Sequence, residues 1–127
     1  MLQPMKHSKV TTSEYSESKA YNEWLLWQPK LFGVHHVNEG KRSFAEGKRL
    51  KQIGMTAGLP DFQIFCANEN WHCLFIEMKQ KHKRNHKMPE HQVKFHEKLL
   101  AHKYYATFAF GCDDAIHITI QYLANLI

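Results

Sequence analysis

The sequence predicts an α/β domain built from one sheet and few helices. Two short apolar runs rich in aromatic and β-branched residues, "DFQIFCA" and "CLFIEMK", are separated only by the polar "NENWH", the pattern of an antiparallel hairpin. Segments with helical spacing lie on either side of them, "SEYSESKAYNEWLLWQ" before and "PEHQVKFHEKLLAHK" after. The chain has 127 residues, 43% hydrophobic and 23% charged, which fits one domain and is too apolar for a disordered chain.

Residues 1 to about 12 are polar and aperiodic and read as a flexible lead-in, leaving 13–127 as the single domain. Thr12 or Ser13 offers an N-cap, acids follow in the first turn, and the first helix ends before Pro29. "LFGVHHV" is a strand candidate closed by the turn-prone "NEG" at 38–40. "KRSFAEGKRLKQIG" is basic and weakly helical, and Gly54, Gly58 and Pro60 break regular structure after it, where a loop could approach a ligand closely. In the second hairpin strand Leu74, Ile76 and Met78 should point one way, with Phe75, Glu77 and Lys79 pointing the other. "QKHKRNHKM" reads as a charged surface loop, and Pro89 opens an amphipathic helix carrying Val93, Phe95, Leu99 and Leu100. "YYATFAF" is a late strand, "CDD" a turn and N-cap, and "AIHITIQYLANLI" a final helix, giving the order α, β, β, β, α, β, α. Trp24, Trp27, Phe95 and Leu99 are expected in the core.

Seventeen Lys plus Arg against twelve Asp plus Glu give a formal charge of +5, which suits a polyanionic partner such as nucleic acid or simply a soluble basic protein. Cys66, Cys73 and Cys112 form an odd set without C-x-x-C spacing, so a reducing compartment is expected. There is neither a signal-peptide core nor an apolar stretch of about 18 residues, which disfavours secretion and membrane spanning. Of the ten histidines, His82, His86, His91 and His96 raise the question of zinc, but no cysteine pair accompanies them.

The chemistry concentrates at the ends of the hairpin. Two strand-borne carboxylates and an ammonium cannot all be buried unpaired, since desolvating each costs several kcal/mol. In an antiparallel pair Asp61 and Glu77 fall side by side at one end of the sheet, and both are oxygen donors suited to Mg²⁺. Lys79 lies on the Glu77 face about 6.6 Å along the strand, where it can orient a water or neutralise a phosphate oxygen. An isolated Glu-x-Lys would be an ordinary solvated strand face; here it has Asp61 opposite.

"GMTAGLPDFQIF", "LFIEMK", "MPEHQVKFHEKLLAHKYYATFAF" and "DDAIHITIQYL", in that order, resemble the VRR-NUC domain of the PD-(D/E)XK nuclease superfamily, over roughly residues 13 to 125. The resemblance implies a restriction-endonuclease-like core, a mixed central sheet flanked by helices, and a stand-alone domain. It makes Asp61 and Glu77 the metal-binding acids, Lys79 the catalytic lysine and Gln92 the helix glutamine near the scissile phosphate, with the Met78 carbonyl as a further metal ligand. A first-helix acid also belongs to the family's pattern: Glu17 fits best, with Ala20, Tyr21, Trp24 and Trp27 following at helical spacing, while Glu14 competes and Glu23 competes weakly. "HVNEGKRS" resembles a family segment that makes Asn38 and Arg42 phosphate contacts, and Lys81, Lys83 and Arg84, just after the catalytic strand, are DNA-contact candidates. The chain departs from the family in having Lys103, where glycine is usual, before Tyr104. The implied activity is a Mg²⁺- or Mn²⁺-dependent structure-specific DNA endonuclease, without organic cofactor or membrane, acting as a homodimer on branched DNA such as Holliday junctions in the cytoplasm of a bacterium or phage-infected host. A nucleic-acid-binding module with a vestigial site, and a restriction-type or RNA-acting nuclease on the same core, are the rival readings.

Overall fold

The computed structural model describes residues 12–36, 43–54 and 56–127. Residues 1–11 of the expected lead-in (1–12), Asn38 and Arg42 lie outside the described residues. The chain runs α1 (Glu14–Leu26), β1 (Gly33–His35), α2 (Phe44–Gln52), β2 (Phe62–Ile64), β3 (Leu74–Lys79), a 3₁₀ turn (Lys81–Lys83), α3 (Glu90–Ala101), β4 (Tyr105–Phe110) and α4 (Cys112–Leu123). The weakly helical basic segment is therefore a full helix, α2, begun by Ser43 accepting from the Glu46 N–H. None of its residues is buried.

The four strands lie in the order β1-β2-β3-β4, giving a mixed sheet. β1/β2 and β2/β3 are antiparallel, as the hairpin pattern predicts, and β4 returns parallel to β3 after α3 crosses over. β2 is shorter than "DFQIFCA" suggests. After Ile64 the backbone turns away, with the Phe65 N–H donating to Phe32, and the Asn68 carboxamide organises the hairpin loop by accepting from the N–H groups of Asn70 and Trp71 at 2.9 and 2.8 Å.

Period-two alternation in β3 separates two cores. Leu74, Ile76 and Met78 join Tyr21 and Leu25 of α1, Phe62 and Ile64 of β2, and Ala115 and Tyr122 of α4. Within this core the Tyr21 hydroxyl bonds Thr119 at 2.7 Å. On the opposite face Cys73 and Phe75 pack with Ala106, Leu59, Leu99 and Tyr104 beneath α3. The helix α1 starts as read: Ser13 accepts from the Ser16 N–H at 3.0 Å. Trp27, expected in the core, is 83% exposed, because the helix ends at Leu26 and its helical phase stops there.

Lys103 explains the departure from the glycine expected before the late strand. It closes α3 with φ of +68°, the left-handed conformation in which glycine is at ease, so the turn is made at a lysine's steric cost. Gly58 is constrained differently. Its φ is +101°, and a Cβ there would sit 2.5 Å from the His91 carbonyl oxygen, so the loop before β2 touches the first turn of α3 backbone to backbone.

Candidate active site

Register brings the hairpin acids together. The last β2/β3 pair is Phe62 with Ile76, so Asp61 and Glu77 come next at the point where pairing stops. Their side chains replace the missing ladder: the Asp61 N–H donates to Glu77 Oε2 at 3.1 Å, and the Met78 N–H donates to Asp61 Oδ2 at 2.9 Å. From α3, Gln92 Nε2 donates to Glu77 Oε1 at 3.0 Å. Lys79 Nζ stands 4.0 Å from the same Oε1, close enough for ion pairing but beyond a hydrogen bond. Glu77 and Lys79 are 6% and 9% exposed.

Electrostatics follow from this crowding. Burial, then the neighbouring Asp61 charge, pushes the Glu77 carboxyl up to about 8, while Lys79 and the Asp61 N–H pull back and Glu14 adds a last push upward. Two acids that oppose each other's ionisation make a site that gains from a cation. Hard oxygen donors of this kind would suit a cation such as Mg²⁺ or Mn²⁺. The described residues contain no group of three or more His, Cys, Asp or Glu able to hold a metal, so a cation here would rest on these two carboxylates, backbone carbonyl and water, and a zinc centre has no ligand set among them.

The two first-helix acids differ in their partners. Glu17 is 5% exposed, but its Oε2 accepts from the Cys112 N–H at the start of α4, and its Oε1 lies 4.0 Å from Lys81 Nζ. Gly111 makes room for it: a Cβ there would fall 2.8 Å from Glu17 Oε2 and 2.6 Å from Lys81 Cγ. Glu17 thus serves a helix N-terminus. Glu14, one turn earlier and half-buried, is the helix acid whose charge reaches Glu77.

Of the basic candidates, Lys81 faces Glu17, and Arg84 sits 3.4 Å from Asp114 with its guanidinium 5.2 Å from the centre of the Phe110 ring. Both remain more than half exposed, so their charge still reaches solvent. Lys83 lies in the 3₁₀ turn between them. Sequence reasoning treated His96 only as a zinc candidate. It is instead buried on α3, its ring 4.3 Å from that of Phe108, which is the β4 register partner of Glu77. The spacing of Gln92 and His96 by four residues on one helix was the available signal.

No family model matches the chain, and no curated protein matches it. A solved structure described as a "VRR_NUC domain protein" superposes with a TM-score of 0.75, covering 91% of this chain and 91% of that one at 24% identity. The order of the elements, the mixed sheet and that superposition give one conclusion: this chain has the VRR-NUC fold.

Proposed function

We propose that the chain is a Mg²⁺- or Mn²⁺-dependent DNA endonuclease that hydrolyses phosphodiester bonds. The observation that carries this reading is the meeting of Asp61 and Glu77 where β2/β3 pairing stops, with Lys79 beside them, in a fold shared with a VRR_NUC domain protein. Asp61, Glu77 and the Met78 carbonyl would hold the ion, and Glu14 rather than Glu17 would serve as the first-helix acid. A bound divalent ion supplies charge for the developing phosphorane and acidifies its water.

The side chains do the rest. Lys79, as the ammonium, orients the attacking water and eases its deprotonation by charge, the proton passing to bulk solvent, and the same charge lies beside the reacting oxygens. Gln92 fixes the Glu77 carboxylate by its 3.0 Å bond, so the acid is aimed before substrate arrives. Lys81, Lys83 and Arg84 extend positive charge beyond the catalytic strand along the path of a phosphate backbone, and Asn38 and Arg42 are assigned the same kind of contact.

A homodimer acting on branched DNA such as a Holliday junction belongs to the same proposal, since a two-fold assembly can present two sites to two strands. What supports it is the exposed pair Phe32 and Phe65, 64% and 47% exposed with ring centroids 5.1 Å apart, an apolar surface a second copy could cover. Incubation of the protein with supercoiled plasmid, linear duplex and a synthetic four-way junction, each with Mg²⁺ or EDTA, tests the reading. Preferential Mg²⁺-dependent cutting of the junction supports it. Binding without metal-dependent cutting makes the chain a binding module, and sequence-defined cutting of simple duplex makes it a restriction-type enzyme.

A further inference from the structure

The helix α2 is a short element without a core of its own. None of its nine residues is buried, and a helix of that length is marginal in water unless something packs on it. Its composition says what sort of partner would. Lys48, Arg49 and Lys51 stand against one acid, Glu46. Among the described residues none of these three cations is in an ion pair, whereas Lys81 and Arg84 each face a carboxylate. The helix dipole accounts for Arg49 and Lys51 in the last turn, but not for Lys48. Phe44, Gly47, Lys48 and Lys51 recur at i, i+3, i+4 and i+7, so they share one helix face, and with Ser43 they line an open hollow of about 500 Å³. Phe44 is 89% exposed there. Gly47 weakens a helix relative to alanine, and no packing requires it, since a Cβ at that position would meet nothing within 4 Å. The bare backbone leaves room for a flat group to lie beside Phe44. β1 ends at His35, which pairs with Phe62, the residue after Asp61. The connection carrying α2 therefore leaves and re-enters the sheet at the end where Asp61 and Glu77 meet.

We propose that this face of α2 is a docking surface for a single strand of nucleic acid, its phosphates on Lys48 and Lys51 and an unpaired base stacked on the Phe44 ring over Gly47. The two ammonium groups give the strand its electrostatic hold. Every base has a π-face, so the aromatic contact reads whether a base is free rather than which base it is. A base within continuous duplex is already stacked and cannot lie on Phe44, so the hollow favours strands opened at a branch or an end. The consequence for substrate choice rests on the nuclease reading, while the docking itself needs no cleavage. A second copy of the chain is the weaker occupant. A two-fold contact of this face with itself would set Lys48 and Lys51 against their own copies, like charge against like.

Binding of fluorescein-labelled oligonucleotides to the full chain in EDTA, followed by anisotropy, tests this without catalysis. Phe44→Ala should weaken binding of a single strand and of a fork with unpaired arms about 5–100-fold, and of a blunt duplex less than about twofold, with Phe44→Trp restoring the affinity. Lys48→Ala combined with Lys51→Ala should weaken all three and lower the slope of log K against log salt by about 1.4–1.8. Gly47→Gln should keep or raise the far-ultraviolet helical signal while weakening single-strand binding, which a merely structural glycine would not do. Wild-type affinity in a folded Phe44→Ala protein, or an equal loss for duplex and single strand, overturns the proposal. So does self-association in sedimentation, or adhesion to phosphatidylserine vesicles, that depends on Phe44 while oligonucleotide binding does not; the face then belongs to a second copy or to a membrane. Should the wild type cut no DNA with Mg²⁺, the nuclease reading falls alone, and the EDTA titrations still decide whether α2 holds a strand.

Discussion

Two buried glutamates, Glu17 and Glu77, are almost equally hidden from water, at 5% and 6% exposure, yet their surroundings differ in kind. Glu17 faces the N-terminus of α4 and a lysine. Glu77 faces Asp61, a second acid, and its ionisation is opposed. Burial alone therefore does not set how readily an acid ionises; the groups buried beside it do.

The most drastic way to sharpen that contrast is to remove the neighbours of Glu77. Lys79→Ala should lower cleavage by about 10²–10⁴-fold while DNA and Mn²⁺ binding persist, measured by single-turnover kinetics and calorimetry. Asp61→Ala should abolish the Mn²⁺ isotherm. Near-normal cutting in the first or an unchanged isotherm in the second breaks the assignment of roles.

Next comes pH. A carboxyl raised from 4.5 to about 8 binds a proton in the folded state that the unfolded chain has released, so its contribution to stability is lost as pH rises through that window. His96, lowered from 6.5 to about 4, acts oppositely below pH 6.5, where the unfolded chain takes up the proton. Between these limits, from pH 6.5 to 8, Glu77 is left dominant of the two, and metal-free protein should lose about 2 kcal/mol in urea melts. Glu77→Gln or saturating Mn²⁺ should flatten the slope, whereas Glu17→Gln should keep it.

A smaller effect separates the two first-helix acids. Glu17→Gln should cost about 1–2 kcal/mol of stability and leave Mn²⁺ affinity intact. Glu14→Gln should cost less than about 1 kcal/mol and weaken Mn²⁺ binding. The reverse pattern would return Glu17 to the site. Smallest is Lys103→Gly, remote from both acids, which should add about 0.5–1 kcal/mol by relieving the left-handed turn at some cost in chain entropy. A gain there without any change in cation response confirms that the other shifts belong to the carboxylates.

Much of this was legible in the residues. The alternation of "CLFIEMK" has a period of two, so the faces of Leu74, Ile76 and Met78 and of Glu77 and Lys79 follow without tertiary knowledge. Pro89 fixes the start of α3 to within a residue, and with it the phase of Gln92. Glu14 and Glu17 could not be separated that way. They lie three residues apart on one helix face, and what divides them is the Cys112 N–H, 95 residues away. Trp27 failed for the opposite reason: helical phase was carried past Leu26, where the helix ends. His96 needed Phe108 from β4 to become a buried ring, a contact that no local pattern contains.

Gly58 has a consequence for how this centre can adapt. Because its backbone abuts the His91 carbonyl, the peptide leading to Asp61 and the helix bearing Gln92 share a rigid stop. A main-chain contact of this kind cannot be relieved by rotating a side chain, so the gap between that helix and the loop leading to β2 has a hard minimum. The α3 side of the acid pair therefore cannot move closer to the strand ends, and any local adjustment falls to side chains such as Gln92 and Lys79.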